Sequence, residues 1–171
     1  IWGSDDDTDI EYMYQYLQNF YETNILTPSQ IRDGWLKHIY IEEENYLWVS
    51  NQRAFDLMLE GFEPPETSNP EKNEFYDMID AQLTTEIFGL FSPTKPEFAI
   101  EMSRLPIQTT ARDEAQEIAE FYVRMYSNAS NTKNLKSIKE KIFWLAKESR
   151  SKLNNNLYPS KMYDYIKGLY D

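Results

Sequence analysis

An all-α domain of about seven to eight helices is predicted, on three observations. Apolar residues recur at helical spacing along most of the 171-residue chain. No run alternates as a half-buried strand does, and none is joined to a neighbour by an Asn-Gly or Asp-Gly hairpin turn. Only 5 glycines are present and no glycine-rich phosphate loop, which argues against a dinucleotide-binding α/β fold. With 41% hydrophobic and 15% aromatic residues the chain can bury a proper core, and its length suits one domain, residues 1–171.

The elements follow in order. Ile10, Met13, Tyr14, Leu17, Phe20 and Tyr21 mark one face of a helix from about Thr8 to Tyr21. Thr27-Pro28-Ser29-Gln30 announces a second, with Thr27 as cap, Pro28 at the first position and Gln30 completing a capping box. Ile31, Trp35 and Ile39 continue it, and Trp35 is expected to anchor the core. His38, the single histidine, is expected to be structural or exposed, and no Ser-His-Asp constellation can be built on it. Glu42-Glu43-Glu44 reads as a solvated turn. A third helix is expected from Asn45 to Leu59, stopped by Gly61 and carrying Trp48, Asn51 and Arg53.

Residues 62–73 form a loop broken by Pro64-Pro65 and Asn69-Pro70. Tyr76, Ile79, Leu83 and Ile87 mark a fourth helix ending near Gly89, and Thr94 caps a short one through Met102. Pro106 to Thr110 reads as a loop with two adjacent hydroxyls. From Asp113, the residues Ala115, Ile118, Ala119, Tyr122, Met125 and Tyr126 resume the helical pattern. Ile138, Ile142, Leu145 and Ala146 mark the next helix. An Asn-rich break over 153–157 precedes a last helix, capped by Ser160 and carrying Met162, Tyr165, Ile166 and Leu169. Asn128-Ala129-Ser130 is a glycosylation acceptor only if the protein is secreted.

Charge narrows the partners. The net charge of −12 argues against binding a nucleic-acid backbone. Residues 1–130 carry 25 acidic and 8 basic residues, net −17, whereas 131–171 carry 4 and 9, net +5. The basic C-terminal helices are expected to pack on the acidic body or to meet an acidic partner. No run of apolar residues is long enough to span a membrane, and no leader precedes the first helix. The lack of cysteine removes disulfides and thiolate chemistry and fits a reducing, cytoplasmic setting. The chain begins at Ile1 without an initiator Met, and is expected to be processed or a fragment.

Gly3-Ser4-Asp5-Asp6-Asp7-Thr8-Asp9 stands directly before the first helix. One or two carboxylates there cap a helix and complement its dipole. Four repel one another, and crowded hard oxygen donors suit a divalent cation such as Mg²⁺; a solvated acidic cap is the plainer alternative. Asp5, Asp7 and Asp9 have the first spacings of an EF-hand, but Ile10 and Tyr16 stand where that loop needs Gly and Glu. Asp5, Asp6 and Asp9 also spell D-D-x-x-D, which looks like the Mg²⁺–diphosphate motif of isoprenoid synthases; no clear second motif completes it.

Taken with other stretches, Asp5-Asp6-Asp7-Thr8 resembles the first metal motif of the ADP-ribosylglycohydrolase family. Gly61-Phe62-Glu63-Pro64-Pro65 with Asn69-Pro70 looks like that family's G-x-x-P-P…N-P loop. Ala81-Gln82-Leu83, Phe88-Gly89-Leu90, Pro93 and Pro96-Glu97-x-Ala99 look like the helix and turn that follow in one branch, and Leu105 to Thr110 with the helix from Asp113 like its central loop and helix. The resemblance covers most of residues 1–130. It implies an all-α fold, a centre of two Mg²⁺ ions and hydrolysis of the glycosidic bond of ADP-ribose attached to a protein or small molecule. It makes Asp6 and Asp7 metal ligands, with Asp5 where the family often has Thr or Ser. Nothing after Asp113 resembles the family's second metal motif, its glutamate-bearing N-terminal helix is missing, and Thr109-Thr110-Ala111 replaces a Thr-His or Ser-His. The chain thus looks like a central piece with half a metal site, expected to turn over weakly or not at all when isolated. Catalytic residues are not identified. The alternatives are a non-catalytic helical module that binds ADP-ribose or a protein, and an isoprenoid synthase-like protein.

Overall fold

The computed structural model describes residues 5–40 and 46–170. Gly3, Ser4, Glu42-Glu43-Glu44 and Asn45, named above, lie outside them. The first helix, α1, spans Asp6–Phe20 and starts earlier than the apolar pattern suggests. Asp5 is its N-cap, with a carboxylate oxygen accepting the Thr8 N–H at 2.9 Å. Helix α2, Pro28–His38, begins with the expected reciprocal box between Thr27 and Gln30. Helix α3, Val49–Leu59, starts after an extended Trp48 and ends as Gly61 allows. Gly61 adopts φ +100°, so its N–H reaches the Met58 carbonyl and the Phe62 N–H reaches that of Leu57.

The expected fourth helix is split. α4 covers Asp80–Thr85 and α5 covers Ile87–Phe91, with Glu86 at the joint. Thr84 and Thr85 hydrogen-bond back to the carbonyls of Asp80 and Ala81, competing with the helical ladder at the break. Helix α6, Pro96–Thr110, overturns two expectations. Thr94 does not cap it; Lys95 does the capping, without a side-chain hydrogen bond. And Pro106 lies within the helix rather than opening a loop. The missing Pro N–H costs one rung, while the far end is closed from outside. Thr67 and Ser68, on a 3-10 turn over Glu66–Ser68, donate their hydroxyls to the carbonyls of Thr109 and Gln108 at 2.7 and 2.6 Å.

Helix α7, Asp113–Asn128, is the hub, packing on α4, α5, α6 and the C-terminal helices. Those are α8, Ile138–Arg150, and α9, Tyr158–Gly168. Ser137 and Glu140 form a second capping box at α8. Ser160 does not cap α9; Leu157 stands at the cap, and Ser160 is buried inside the first turn. The described residues thus form one all-α domain with no strand among them. Among them, no helix is long and apolar enough to cross a membrane.

One core runs through the N-terminal helices and α7. Ile10, Met13, Tyr14 and Leu17 of α1 meet Ile31 and Trp35 of α2, Met58 of α3, Phe88 of α5, Ile107 of α6 and Val123 of α7. Trp35 is buried, as expected, and its Nε1–H donates to Tyr14 Oη at 3.3 Å. Full burial pushes the Tyr14 phenol up to about 12. Where α5 meets α7 only glycine fits. A Cβ on Gly89 would stand 2.4 Å from the Val123 carbonyl oxygen, backbone that cannot swing aside. Gly89→Ala is expected to lose about 2 kcal/mol by overpacking, despite alanine's better helix propensity. Urea denaturation followed by circular dichroism checks this; unchanged or raised stability would contradict the close approach.

Lys152 Nζ lies 3.3 Å from Glu97 Oε1, and Glu117 and Glu114 of α7 accept the backbone N–H groups of Asn154 and Tyr158. The basic end therefore does pack on the acidic body.

Candidate functional site

The three aspartates singled out by the sequence share a helix terminus but not an environment. Asp5 is exposed, and the Thr8 N–H holds its carboxyl below the usual range. Asp6 is only 2% exposed. Its Oδ2 accepts the Trp48 N–H at 2.8 Å and the Asn51 amide at 3.0 Å. Asp7 is half-buried on the flank of α1.

Helix α3 is what organises this corner. Its N-terminal N–H groups point at two carboxylates from distant parts of the chain. Trp48 N–H reaches Asp6, and Ser50 N–H reaches Asp80 at 2.9 Å, with the Ser50 hydroxyl on the same oxygen. An unpaired helix N-terminus favours acceptors and negative charge, and here it meets two buried carboxyl groups. Asp6 and Asp80 are thereby satisfied.

Asp7 is not. Burial first, then the charges of Asp6, Asp5, Asp80 and Glu86, push its carboxyl up to about 6. Glu11, one turn on, is pushed up to about 7 by burial and by Glu86, Asp7 and Asp5, against an opposing hydrogen bond from the Ile87 N–H. Glu86, at the α4–α5 joint, is likewise raised by burial. No lysine or arginine figures among the charges acting on these three. Glu86 Oε2 and the Oδ1 of fully buried Asn51 are without hydrogen-bond partners. Beside this corner, Tyr46 and Trp48 make an exposed edge-to-face pair with centroids 6.1 Å apart.

Sequence reasoning placed Asp5, Asp6 and Asp7 here and missed Glu11, Asp80 and Glu86. Glu11 was within reach, since it stands four residues after Asp7 on one helix face. Glu86 was not, because only the split of α4 from α5 places it. Asn51 proves to be a buried partner of Asp6. Arg53 donates instead to the Lys72 carbonyl. His38 packs its ring on Tyr16 at 4.9 Å, and burial lowers its pKa.

The donor set is hard oxygen throughout, as Mg²⁺ prefers. The two unpartnered oxygens and the uncompensated charge of Asp7, Glu11 and Glu86 fit a cation. The arrangement is not a finished cage: among the described residues no three or more His, Cys, Asp or Glu side chains are placed to hold a metal ion.

The charge cluster has a measurable consequence without any ligand. The native carboxyls of Asp7 and Glu11 titrate near 6 and 7, against ordinary values of 3.8 and 4.5. These two groups therefore hold more protons in the folded chain than in the unfolded one between about pH 4 and 7, and their contribution to stability falls as pH rises through that window. Solvent screening of half-buried groups reduces each contribution to about 1 kcal/mol. In the absence of divalent ions, Asp7→Asn is expected to stabilise the chain by about 1 kcal/mol at pH 7.5 and to be nearly neutral at about pH 4, close to the ordinary carboxylate value. Urea titrations at the two pH values test this; a full gain that persists at about pH 4 contradicts it.

A scan of protein-family models, a search of curated proteins and a search of solved structures each return no match to this chain.

Proposed function

We propose that this chain supplies one wall of a divalent-cation site in a hydrolase of the ADP-ribosylglycohydrolase kind, cleaving the glycosidic bond of an ADP-ribosylated protein or small molecule. The observation that carries the reading is the uncompensated carboxylate cluster beside a buried Asp6 whose Oδ2 is held by α3. Asp6 and Asp7 are the ligands under this reading, Asp5 lends an oxygen at the rim, and Glu86 with its unpartnered oxygen is the neighbour best placed to join them. The bound Mg²⁺ would neutralise this cluster, orient the ribose hydroxyls and activate a water. Asp6, fixed by two N–H donors, sets the position of its neighbour Asp7. The exposed Trp48 and Tyr46 offer a face for a planar ring of the substrate. The remaining ligands must come from residues outside this cluster, so the isolated chain is expected to turn over weakly or not at all. Two Mg²⁺ ions and a cytoplasmic setting belong to the same proposal.

Two other readings share the residues. In a non-catalytic binding module the cluster would serve only to hold a ligand, and engagement of Asp6 by α3 would be its whole role. The isoprenoid synthase reading needs an apolar chamber beside the aspartates. The large apolar cavity of this fold is instead lined by residues 118–170, and none of the acidic cluster contributes to it. That favours the hydrolase reading.

The test is calorimetric titration of Mg²⁺ into the chain at pH 7.5, with Asp7→Asn and Glu86→Gln beside it, each also in the presence of ADP-ribose. Saturable binding that both variants weaken at least tenfold supports the site. A signal unchanged in Asp7→Asn overturns the assignment. Metal binding with no gain from ADP-ribose would turn the reading away from that substrate class.

A further inference from the structure

The main core ends well before the chain does. Among the described residues, none after Val123 belongs to it. Beyond that point their buried apolar side chains are Leu153 and Pro159 alone, and α8 buries only Ser149. The hydroxyls of Ser149 and Ser160 are shut in without a hydrogen-bond partner, which weakens the seat of both helices. A cavity of about 530 Å³ lies between Ile118 and Phe121 of α7, Ile142 and Phe143 of α8, and Met162 of α9. Few buried apolar contacts and a poorly filled seat give a segment a low opening free energy.

The two helices are tied to each other. The Arg150 guanidinium forks onto Asp164 at 3.0 and 2.6 Å and reaches Asn155 at 2.9 Å, joining the end of α8 to α9. Phe143 meets Tyr170 edge to face, centroids 6.1 Å apart. The chain enters α8 from a 3-10 helix, Ala129–Asn134, through residues 135–137, which belong to no helix. Helix α8 then runs back along α7, so residues 152–158 reach the first turns of α7, far from that entry. There Glu117 and Glu114 accept the N–H groups of Asn154 and Tyr158, both at 2.8 Å, and Glu97 takes Lys152 Nζ at 3.3 Å. These three ties are exposed, where water competes for each partner.

We propose that α8 and α9 form a hinged cover on α7, which swings open as one unit about residues 135–137 when the carboxylates of Glu97, Glu114 and Glu117 release it, while α1 to α7 stay folded. Hinge and latch lie at opposite ends of α7, so three surface ties hold the free end of the pair. Opening uncovers Ile118 and Phe121 along α7. The acidic corner, built from α1, α3 and the α4–α5 joint, is not part of the moving unit, so the cover stands or falls independently of the function proposed for that corner.

Native-state hydrogen exchange of the full chain, followed by mass spectrometry, tests this. Peptides of α8 and of α9, corrected for intrinsic rates, are expected to exchange at one common rate, at least a hundredfold faster than those of α1, α6 and α7. Glu114→Ala/Glu117→Ala should speed the pair at least fivefold and leave α1 and α6 unchanged. Arg150→Ala, which cuts the tie within the pair, should let α9 exchange ahead of α8. Protection lost in the pair only together with α1 and α6 would overturn the proposal. So would exchange of α7 at the rate of the pair, which denies the hinge, or opening of α9 alone in the unaltered chain, which denies the unit. Equal acceleration of every helix in the double variant would deny the latch.

Discussion

Trp35→Ala is expected to cost about 4 kcal/mol, lowering Tm by about 12 °C. The indole is 1% exposed and lies where α1 meets α2. Its removal leaves a cavity that helices on several sides cannot all collapse into. It also removes the Nε1–H that donates to Tyr14 Oη, while the Tyr14 hydroxyl itself reaches towards Thr109 Oγ1 at 3.5 Å. That chain of polar groups ties α2 and α1 to the end of α6 through an otherwise apolar core. Trp35→Phe separates the two contributions: it restores part of the volume but not the donor, and should recover about half of the loss. Calorimetry of both variants decides the matter. A loss below 2 kcal/mol in Trp35→Ala would mean that the site collapses and that Trp35 does not anchor the core.

The second large effect is at Asp6. Asp6→Ala is expected to lower stability by about 3 kcal/mol at neutral pH, more than a surface carboxylate could account for. The alanine leaves the Trp48 N–H and the Asn51 amide facing an empty acceptor position in a buried corner, and takes away a charge that complements the N-terminus of α3. Asp7→Asn, one residue on, moves stability the other way at pH 7.5. Opposite signs at adjacent carboxylates would be hard to obtain from a solvated acidic cap, in which both would be nearly neutral. Urea titration of the two variants side by side checks this, and a loss below 1 kcal/mol for Asp6→Ala would remove the anchoring role. A metal titration should therefore rest on Asp7→Asn and Glu86→Gln, since the loss of binding in Asp6→Ala would conflate a missing ligand with a displaced helix.

What the sequence made legible was whatever depends on local pattern. The faces of α1, α2 and α7, the box at Thr27 and the stop at Gly61 all follow from spacing or from a residue whose chemistry is needed where it stands. Ser137-x-x-Glu140 gave an equally local signal for α8 and was passed over. The extent of α6 was not legible, because its last carbonyls are closed by Thr67 and Ser68, some forty residues earlier. The joint at Glu86 was obscured because Tyr76, Ile79, Leu83 and Ile87 keep a helical period through turns that are not one helix. The acidic corner was half legible for the same reason. Three aspartates in a row announce themselves, but Asp80 and Glu86 join them only through tertiary packing.

The pinning of α3 by Asp6 and Asp80 also bears on the route by which the chain reaches this state. One partner lies 42 residues before Trp48, the other 30 residues after Ser50. Two sizeable loops must close before either hydrogen bond forms, and their entropy is lost before the bonds return anything. The first turn of α3 is therefore fully held only once both loops have closed, as is expected of contacts that form late. Contacts made after the rate-limiting step slow escape from the native state far more than they hasten arrival. The corner that holds the carboxylates acts as a latch on the finished domain, and its worth is counted in lifetime as much as in equilibrium stability.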